Sequence, residues 1–292
     1  MKKGRIIKLV GDIYTVVDEK NNLSQVKPLG IFRHKKIKPK VGDLVDINDN
    51  SIIKIHKRKN ELYRPMIANV DQAFLVNSAK DPDFSFLLLD KFLTLIEANN
   101  IIPIIIITKI DLLLESEFEE LKQKLSYYKN FYKLIYFSSV TKDNLAEIIS
   151  TAKGKINVLA GQTGAGKSTI LNSINPSLNI KTNKISKALG RGKHTTRHVE
   201  LIEFGEGYIA DTPGFSSLEF KDIDAQEVKY YFIDFFELSK HCKFNECTHL
   251  HEPGCEVKKQ LENGNILKER YEDYKYIYNE IKTQKPIYRR DK

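Results

Sequence analysis

The chain has 292 residues, 41% of them hydrophobic and 29% charged, a composition that is typical of soluble globular proteins and a length that suffices for about two domains. The longest apolar run, residues 101–107, contains Pro103 and is far too short for a membrane span, and no apolar signal core begins the chain, so we expect a cytoplasmic protein without a membrane partner. The net charge of +9 favours a polyanionic partner, because phosphate backbones attract Lys and Arg by counterion release.

The N-terminal segment carries most of this charge. Residues 1–62 hold 15 Lys and Arg against 7 Asp and Glu, a net charge of +8. The opening stretch alternates apolar and polar residues and breaks at Gly11-Asp12, as a hairpin does, and short strand patterns continue through VGDLVDI and IIKIHK. No helical period appears before Glu61. We therefore predict a basic β-barrel over residues 1–62, with an OB-fold as its form and an SH3-like barrel or open sheet as the alternative.

From Val70 onward, buried strand patterns alternate with amphipathic helices, which predicts a doubly wound α/β domain over residues 63–220. The predicted strands are QAFLVNSA, IPIIIIT, KLIYFSS, KINVLA and GYIADT, with helices over residues 84–99 and 116–129. After about residue 220 the sequence becomes helical and aromatic and contains a Cys/His cluster. Residues 221–292 are therefore predicted to form a third, α-helical and metal-binding module.

The segment GQTGAGKST follows the predicted strand KINVLA and precedes a helical stretch, which is the context of a phosphate-binding P-loop. Glycines let the backbone turn its N–H groups toward phosphates, and the helix N-terminus adds a positive partial charge. Lys167 is expected to reach the β- and γ-phosphates, and Ser168 to ligate Mg²⁺. The candidate nucleotide-binding residues of this loop are Gly161, Gln162, Thr163, Gly164, Ala165, Gly166, Lys167, Ser168 and Thr169.

A second phosphate-side motif, DTPG, follows the predicted strand GYIADT. Asp211 would hold the magnesium ion through water, and the backbone N–H of Gly214 would contact the γ-phosphate. DTPG alone is a common turn sequence, but its place at a strand end after a P-loop favours the functional interpretation.

Two further loops are candidates for reading the base. TKID, which comprises Thr108, Lys109, Ile110 and Asp111, ends the strand IPIIIIT, where open α/β sheets bind ligands. The Asp111 carboxylate can accept hydrogen bonds from guanine N1–H and the exocyclic amine, a pair of donors that adenine cannot offer together, and the Lys109 stem would pack over base and sugar. Ser138 and Ser139 begin a segment, SSV, that resembles the GTPase loop whose backbone contacts guanine O6. The combination predicts GTP and GDP as ligands rather than ATP.

The order of these motifs is permuted. In ordinary Ras-like GTPases the P-loop comes first and the guanine-reading loops last, whereas here TKID and SSV precede the P-loop and DTPG. A parallel sheet tolerates this order, because function depends on which strand ends meet in space. The chain passes from DTPG almost directly into the C-terminal module.

Ordinary Ras-like GTPases orient the attacking water with a Gln just after the DTPG-equivalent loop. Phe215 stands there in this chain and cannot make a hydrogen bond through its side chain. Our candidate is His194 in GRGKHTTRH, where switch I belongs, with Thr195 or Thr196 completing the magnesium shell. Alternatively, His194 is a surface residue that contacts phosphate and has no catalytic role.

All three cysteines lie close together near the C-terminus, in the pattern Cys-x4-Cys-x-His-x5-Cys. Three thiols cannot all pair as disulfides, and the set Cys242, Cys247, His249 and Cys255 offers the tetrahedral ligands of a closed structural zinc site in a reducing compartment. Three buried free thiols are the alternative, and His251 is a competing ligand. The following stretch, residues 258–278, is rich in Lys and Tyr and is predicted to form one helix, whose Tyr stripe fits either core packing or contact with RNA or protein.

The permuted motifs, the basic barrel in front and the Cys/His cluster behind resemble the RsgA/YjeQ family of GTPases over essentially the whole chain. RKNELYRPMIANVDQ, GRGKHTTRHVELI and CKFNECTHLHEPGCEV add to the likeness. Thr108 departs from it, because the family usually has Asn there, and Gln162, Thr163 and Ala165 differ from the family's common choices.

The resemblance implies a slow GTPase that uses Mg²⁺, is stimulated by the small ribosomal subunit and its rRNA, and acts in late subunit maturation and assembly-factor release. It also implies His249 as the zinc ligand, and we expect a monomer. The alternatives are a nucleotide-gated RNA-binding scaffold with incidental hydrolysis, a permuted GTPase that serves the large subunit or another RNA, and a generic P-loop ATPase.

Overall fold

The computed structural model describes residues 2–34, 37–62, 66–176, 199–210, 219–220 and 223–284. The N-terminal strands form a closed barrel: β1 (Lys2–Val10), β2 (Ile13–Asp18), β3 (Leu23–Pro28), β4 (Leu44–Asn48) and β5 (Ser51–Ile55). The first strand pairs antiparallel with the second and the fourth, and the third pairs parallel with the fifth, which closes the barrel. This topology confirms the predicted OB-type barrel. A five-residue helix, α1 (Gly30–His34), precedes β4; its sequence is too short to carry a helical period.

In the described part of the central domain, six strands form a sheet in the spatial order β10-β11-β9-β6-β7-β8. Their bounds are β6 (Gln72–Ser78), β7 (Ile102–Thr108), β8 (Lys133–Phe137), β9 (Ile156–Ala160), β10 (Val199–Phe204) and β11 (Gly207–Ala210). All neighbouring pairs among β11, β9, β6, β7 and β8 are parallel, and β10 runs antiparallel to β11. The predicted strands are therefore confirmed.

Helices cover the faces of this sheet: α2 (Phe86–Ala98), α3 (Glu115–Lys129), α4 (Leu145–Ala152) and α5 (Lys167–Ile174). The first of them is capped by Ser85, whose hydroxyl accepts a hydrogen bond from the Leu88 N–H. It buries Leu89, Phe92 and Ile96, which recur at helical spacing. The apolar strands and these helix faces together bury the core of the domain.

The barrel and the central sheet are continuous through their backbones. The end of β1 pairs antiparallel with the start of β10, with Lys8 opposite Glu200 and Leu9 opposite Val199. The Lys8 ammonium lies 2.8 Å from the Glu200 carboxylate. The first strand of the chain thus contacts the strand that follows residues 177–198.

The C-terminal module consists of α6 (Val228–Tyr231), α7 (Ile233–Ser239), α8 (Glu256–Glu262) and α9 (Lys268–Thr283). The expectation of one helix over residues 258–278 is wrong, because the chain breaks after α8, where Gly264 has φ +76°. Tyr271, Tyr274 and Tyr278 are buried, so their stripe is core packing, while Tyr276 is exposed. Within the described ranges, none of the helices is long and apolar enough to cross a membrane.

Candidate nucleotide-binding site and metal centre

The predicted phosphate and base motifs meet at one edge of the sheet. The P-loop (residues 161–169) follows β9, TKID begins at the end of β7, and Ser138 follows β8, and these parallel strands end on the same side. The Thr108 hydroxyl donates a 2.7 Å hydrogen bond to the carbonyl of Ala165 in the P-loop. TKID and the P-loop therefore lie in direct contact, in spite of their permuted order.

Glycine is required at the start of the P-loop. Gly161 has φ +121°, and a Cβ atom there would lie 2.0 Å from the Val76 carbonyl oxygen of β6. Gly164 and Gly166 also have positive φ, and Gly166 immediately precedes α5. The loop thus turns sharply from a buried strand into a helix whose first N–H groups point toward the loop.

Lys167 lies across this loop rather than in solvent. Its ammonium donates to the carbonyls of Gly161 at 2.7 Å and of Gln162 at 2.6 Å. Burial lowers the pKa of Lys167 to about 8. Bound phosphates would offset that cost of burial, so the site favours an anionic ligand.

The other P-loop residues differ in their exposure. Thr163 and Gly164 are exposed at its tip, and Gln162 and Thr169 are half-buried. Ser168, the second residue of α5, is only 6% exposed. A hydroxyl at that position, beside the phosphate cradle, has the chemistry of a Mg²⁺ ligand.

The turn that was predicted to read the base is organised around Asp111. Lys109 adopts a left-handed backbone with φ +57° and leads into a 3₁₀ turn at Ile110–Leu112, with Ile110 half-buried against the core. The Asp111 side chain is exposed at this turn, and Ser138 donates a 2.7 Å hydrogen bond to its Oδ1. The Ser138 hydroxyl also accepts from the Val140 N–H at 3.2 Å, which shapes the neighbouring loop. Ser139 is exposed at the start of that loop.

Sequence reasoning missed the loop after β6, residues 79–85. The Lys109 ammonium donates to the Asp81 carbonyl, and Pro82 Cδ would lie 3.4 Å from a Cβ on Gly164. This loop therefore contacts both the base turn and the P-loop. The loop follows β6, which lies between β9 and β7, so a predicted strand order would have placed the loop beside both motifs. The loop has no sequence motif of its own, because it contributes backbone groups.

The catalytic and switch candidates His194, Thr195 and Thr196, and the DTPG residues Asp211 and Gly214, lie outside the described residues. The strands beside them are described. β10 begins at Val199, and β11 ends at Ala210 parallel to the P-loop strand.

The four residues of the predicted zinc site lie close together in the structure. One ligand atom from each of Cys242, Cys247, His249 and Cys255 lies within 4.8 Å of the others. The His249 Nδ1 atom is 3.4 Å from the Cys255 sulfur and 3.7 Å from the Cys242 sulfur. His249 is fully buried, whereas His251 is exposed and stands outside the group.

The donor set fits a soft, tetrahedral cation. Burial raises the pKa of Cys247 to about 12 and lowers that of His249 to about 4, so without a metal ion Cys247 is a neutral thiol and His249 a neutral imidazole. A bound cation would stabilise the thiolates, and three sulfurs with one imidazole are the ligands of structural zinc.

Neighbouring side chains hold the cluster in shape. Glu252 accepts hydrogen bonds from the backbone N–H groups of Thr248, Leu250 and His251. Burial alone would raise the pKa of Glu252, but these bonds together with that from the Thr248 hydroxyl lower it to about 2. The Tyr271 hydroxyl donates to the His249 carbonyl at 2.8 Å. The spacing of the ligands gave no indication of Glu252.

Family models and curated relatives match most of this chain. The family model described as RsgA N-terminal domain matches residues 3–52, and the model described as RsgA GTPase matches residues 55–221. The chain is 49% identical over 290 residues to the small ribosomal subunit biogenesis GTPase RsgA of Halalkalibacterium halodurans, covering 97% of this chain and 98% of that protein. It is 49% identical over 298 residues to the Bacillus subtilis protein of the same name, covering 99% and 100%.

Two solved structures are similar to this chain over nearly its whole length. YloQ, described as a circularly permuted GTPase, superposes with a TM-score of 0.85 at 44% identity, over 99% of this chain and 97% of that one. YjeQ from Thermotoga maritima superposes with a TM-score of 0.85 at 35% identity, over 97% of this chain and 99% of that one. With its permuted motifs, front barrel and Cys/His cluster, the chain belongs to the RsgA GTPase family.

Proposed function

We propose that this protein binds guanine nucleotide between the TKID turn and the P-loop, hydrolyses GTP to GDP and phosphate, and acts in the biogenesis of the small ribosomal subunit. The observation that carries the proposal is the contact of Thr108 with Ala165, since it joins the base-reading turn to the phosphate cradle. The names of the relatives supply the ribosomal context.

The geometry supports a specific set of nucleotide contacts. The P-loop N–H groups and Lys167 hold the β- and γ-phosphates, and Asp111, oriented by Ser138, accepts hydrogen bonds from guanine N1–H and the exocyclic amine. The loop that begins at Ser138 and Ser139 offers backbone N–H groups to O6. Adenine offers a different set of donors, so this turn selects guanine.

The proposal for hydrolysis includes Mg²⁺, held by Ser168 and through water by Asp211. The ion neutralises charge that develops on the phosphate oxygens. Gly214 would donate its N–H to the γ-phosphate, Thr195 or Thr196 would complete the magnesium shell, and His194 would orient the attacking water, because Phe215 offers no hydrogen bond for that task.

We propose Zn²⁺ at Cys242, Cys247, His249 and Cys255, as a structural ion. The four ligands leave no position for a water ligand, and the surrounding segment has few apolar residues of its own. The metal would therefore contribute folding free energy rather than chemistry.

The proposed RNA-contacting element is the basic barrel, whose residues 1–62 carry a net charge of +8. The pairing of β1 with β10 supports a mechanical link, since β10 follows the segment that contains His194. Subunit rRNA bound to the barrel would thus act on the proposed switch. We propose that the protein is slow alone, stimulated by the small subunit, active as a monomer, and involved in the release of assembly factors.

The experiment is GTP turnover by the purified protein alone, with purified small subunits, and with purified large subunits. We expect stimulation by the small subunit only. Equal stimulation by both subunits, or equal competition of labelled GTP by ATP and GTP, would contradict the proposal. Subunit binding that depends on nucleotide without accelerated single-turnover hydrolysis would instead indicate an RNA-binding scaffold. The His194→Ala variant should lose stimulated hydrolysis and keep GDP binding; a variant with full stimulation would leave His194 as a surface residue.

A further inference from the structure

The motif RKNELYRPMIANVDQ, which connects the barrel to the central sheet, is folded back on itself. The Leu62 N–H donates to the Ile67 carbonyl at 2.8 Å, and the Asn69 N–H donates to the Asn60 carbonyl at 3.0 Å. We call the two paired segments of this motif the joint, which consists of residues 58–62 and 67–71. The connection between the two domains is therefore a folded element and not an extended linker.

On the barrel side, the joint contacts the loop that precedes β4. Arg58 donates to both carboxylate oxygens of the fully buried Asp43, at 2.7 and 2.8 Å. The Asn69 side-chain amide donates to the Gly42 carbonyl at 3.1 Å. A Cβ atom on Gly42 would lie 2.0 Å from the Ala68 carbonyl oxygen, so the two backbones touch at this point.

On its other side, the joint is bonded to the base of the sheet. The Asn60 side-chain amide donates at 3.0 Å to the carbonyl of Asn100, in the turn between α2 and β7. The Asp71 carboxylate accepts a 2.7 Å hydrogen bond from the N–H of Ile156, the first residue of β9. One buried hydrophobic cluster runs from the barrel through the joint into the sheet, and its members include Val41, Leu62, Ile67, Val70 and Leu75. Rotation at the joint would have to open this shared core.

The barrel is thus attached to the sheet at two separate places. The pairing of β1 with β10 involves two residue pairs at one edge of the sheet. That contact alone would leave the barrel free to rotate about it. The joint is attached at β9 and beside β7, so the two attachments together exclude rotation about either one.

We propose that the joint makes the barrel and the GTPase domain one rigid unit, that Arg58 and Asn69 are its positioning residues, and that a subunit bound at the barrel stimulates hydrolysis only through this rigid connection. The inference rests on the proposed function, because it needs a stimulating RNA partner at the barrel. Stimulation is a coupling between two sites, and one domain biases the other only as far as their connection resists independent motion. With a loosened joint, the barrel would still bind RNA and the GTPase domain would still bind nucleotide, but independently of each other.

Two substitutions loosen the joint without removing its charge or its fold. Asn69 has φ +58°, which glycine adopts freely, so Asn69→Gly removes two side-chain hydrogen bonds and little else. Arg58→Lys keeps a cation beside Asp43 but loses the two-pronged contact with its carboxylate. Asn21→Gly is the matched control, because Asn21 has φ +61° and lies exposed in the turn between β2 and β3.

The experiment measures hydrogen exchange across residues 66–72, affinity for purified small subunits, and single-turnover GTP hydrolysis with and without saturating subunits. Both joint variants should exchange the Ala68 N–H, which donates to the Val41 carbonyl at 2.9 Å, faster than the wild type does. Their basal turnover and subunit affinity should stay within about twofold of the wild type, while the stimulated rate falls about tenfold, a typical size for coupling between sites. Asn21→Gly should match the wild type in every measurement.

Faster exchange with full stimulation would overturn the inference, because hydrolysis would then not need a rigid joint. Exchange at the wild-type rate in both variants would overturn it as well, since these side chains would not hold the joint. A loss of subunit affinity in step with the loss of stimulation would assign the joint to RNA binding and not to coupling. If the wild-type protein itself is not stimulated by small subunits, the proposed function fails, whatever the exchange rates are.

Discussion

Arg270 in α9 and Asp90 in α2 form a 2.5 Å ion pair in which both side chains are almost completely buried. Arg270 also lies 2.9 Å from Asp234 of α7. The hydroxyls of Tyr128 and Tyr127, both on α3, donate to Asp90 and Asp234. One guanidinium therefore joins the GTPase domain to the C-terminal module, and α2, which it contacts, follows the loop that touches the base turn and the P-loop.

Arg270→Met should destabilise the protein strongly, because it leaves two carboxyl groups buried without their cation. We expect a loss of about 3–5 kcal/mol in the free energy of unfolding, measured by urea denaturation at neutral pH. The matched control is Lys275→Met, since Lys275 pairs with Glu272 at the surface and its removal should cost less than about 1 kcal/mol. Equal stability of the two variants would show that the buried pair contributes nothing.

Gly161→Ala should abolish nucleotide binding and lower the melting temperature. Its Cβ would lie 2.0 Å from the Val76 carbonyl oxygen, a backbone atom of β6 that cannot move aside as the end of a flexible side chain could. Gly154→Ala is the control: its φ is also positive, at +69°, but no atom lies within 4 Å of the added Cβ. The control should cost about 1 kcal/mol from backbone strain alone and bind GDP normally. Normal GDP binding by Gly161→Ala would contradict the close approach.

The sequence predicted that the TKID turn and the P-loop lie close together, but it did not predict the contacts that join them. Parallel strand patterns imply that TKID and the P-loop meet at one edge, whatever their chain order, and they do. The hydrogen bond from Thr108 to Ala165 and the contact of Lys109 with the Asp81 carbonyl were not predictable, because backbone acceptors carry no sequence signal. The Arg270 network joins residues far apart in the chain, so no local pattern indicates it.

Ser138→Ala should reduce the preference for guanine without affecting the phosphate cradle. The lost hydrogen bond to Asp111 frees the carboxylate to rotate, and one such bond contributes about 1–2 kcal/mol. We expect GDP affinity to fall about fivefold to thirtyfold and the affinity for inosine diphosphate, which lacks the exocyclic amine, to fall less. Competition assays against fluorescent GDP measure both. Ser139→Ala, whose side chain is exposed, is the control, and identical behaviour of the two variants would remove Ser138 from the site.

Removing the metal should unfold the C-terminal module first. Cys247→Ser takes away a buried ligand, so the variant should lose stoichiometric zinc and melt at a lower temperature than the wild type. Chelator should lower the melting temperature of the wild type but not of the variant. His251→Ala is the control, because that side chain is exposed and outside the cluster, and it should retain one zinc. A wild-type protein that is purified without zinc and is stable to chelator would contradict the assignment.

Nucleotide binding should take up protons near pH 8 through Lys167. Burial lowers the pKa of this ammonium from its ordinary 10.5 to about 8 in the nucleotide-free protein, and bound phosphates should raise it again. Between these values the unfolded chain binds more protons than the folded one, so this group makes the nucleotide-free protein more stable as pH rises through that window. Bound nucleotide favours the protonated form of Lys167, because its phosphates raise the pKa of this group. GDP affinity should therefore fall as pH rises above about 8.

Titration calorimetry in two buffers of different ionisation enthalpy measures the proton uptake directly. Lys167→Met should bind GDP more weakly and lose the part of the uptake that depends on this ammonium. Because the Lys167 Nζ atom lies beside the Gly161 and Gln162 carbonyls before nucleotide arrives, the proton is taken up by a group that is already in place. Equal proton uptake by wild type and variant would mean that Lys167 remains charged in the nucleotide-free protein and that burial costs it little.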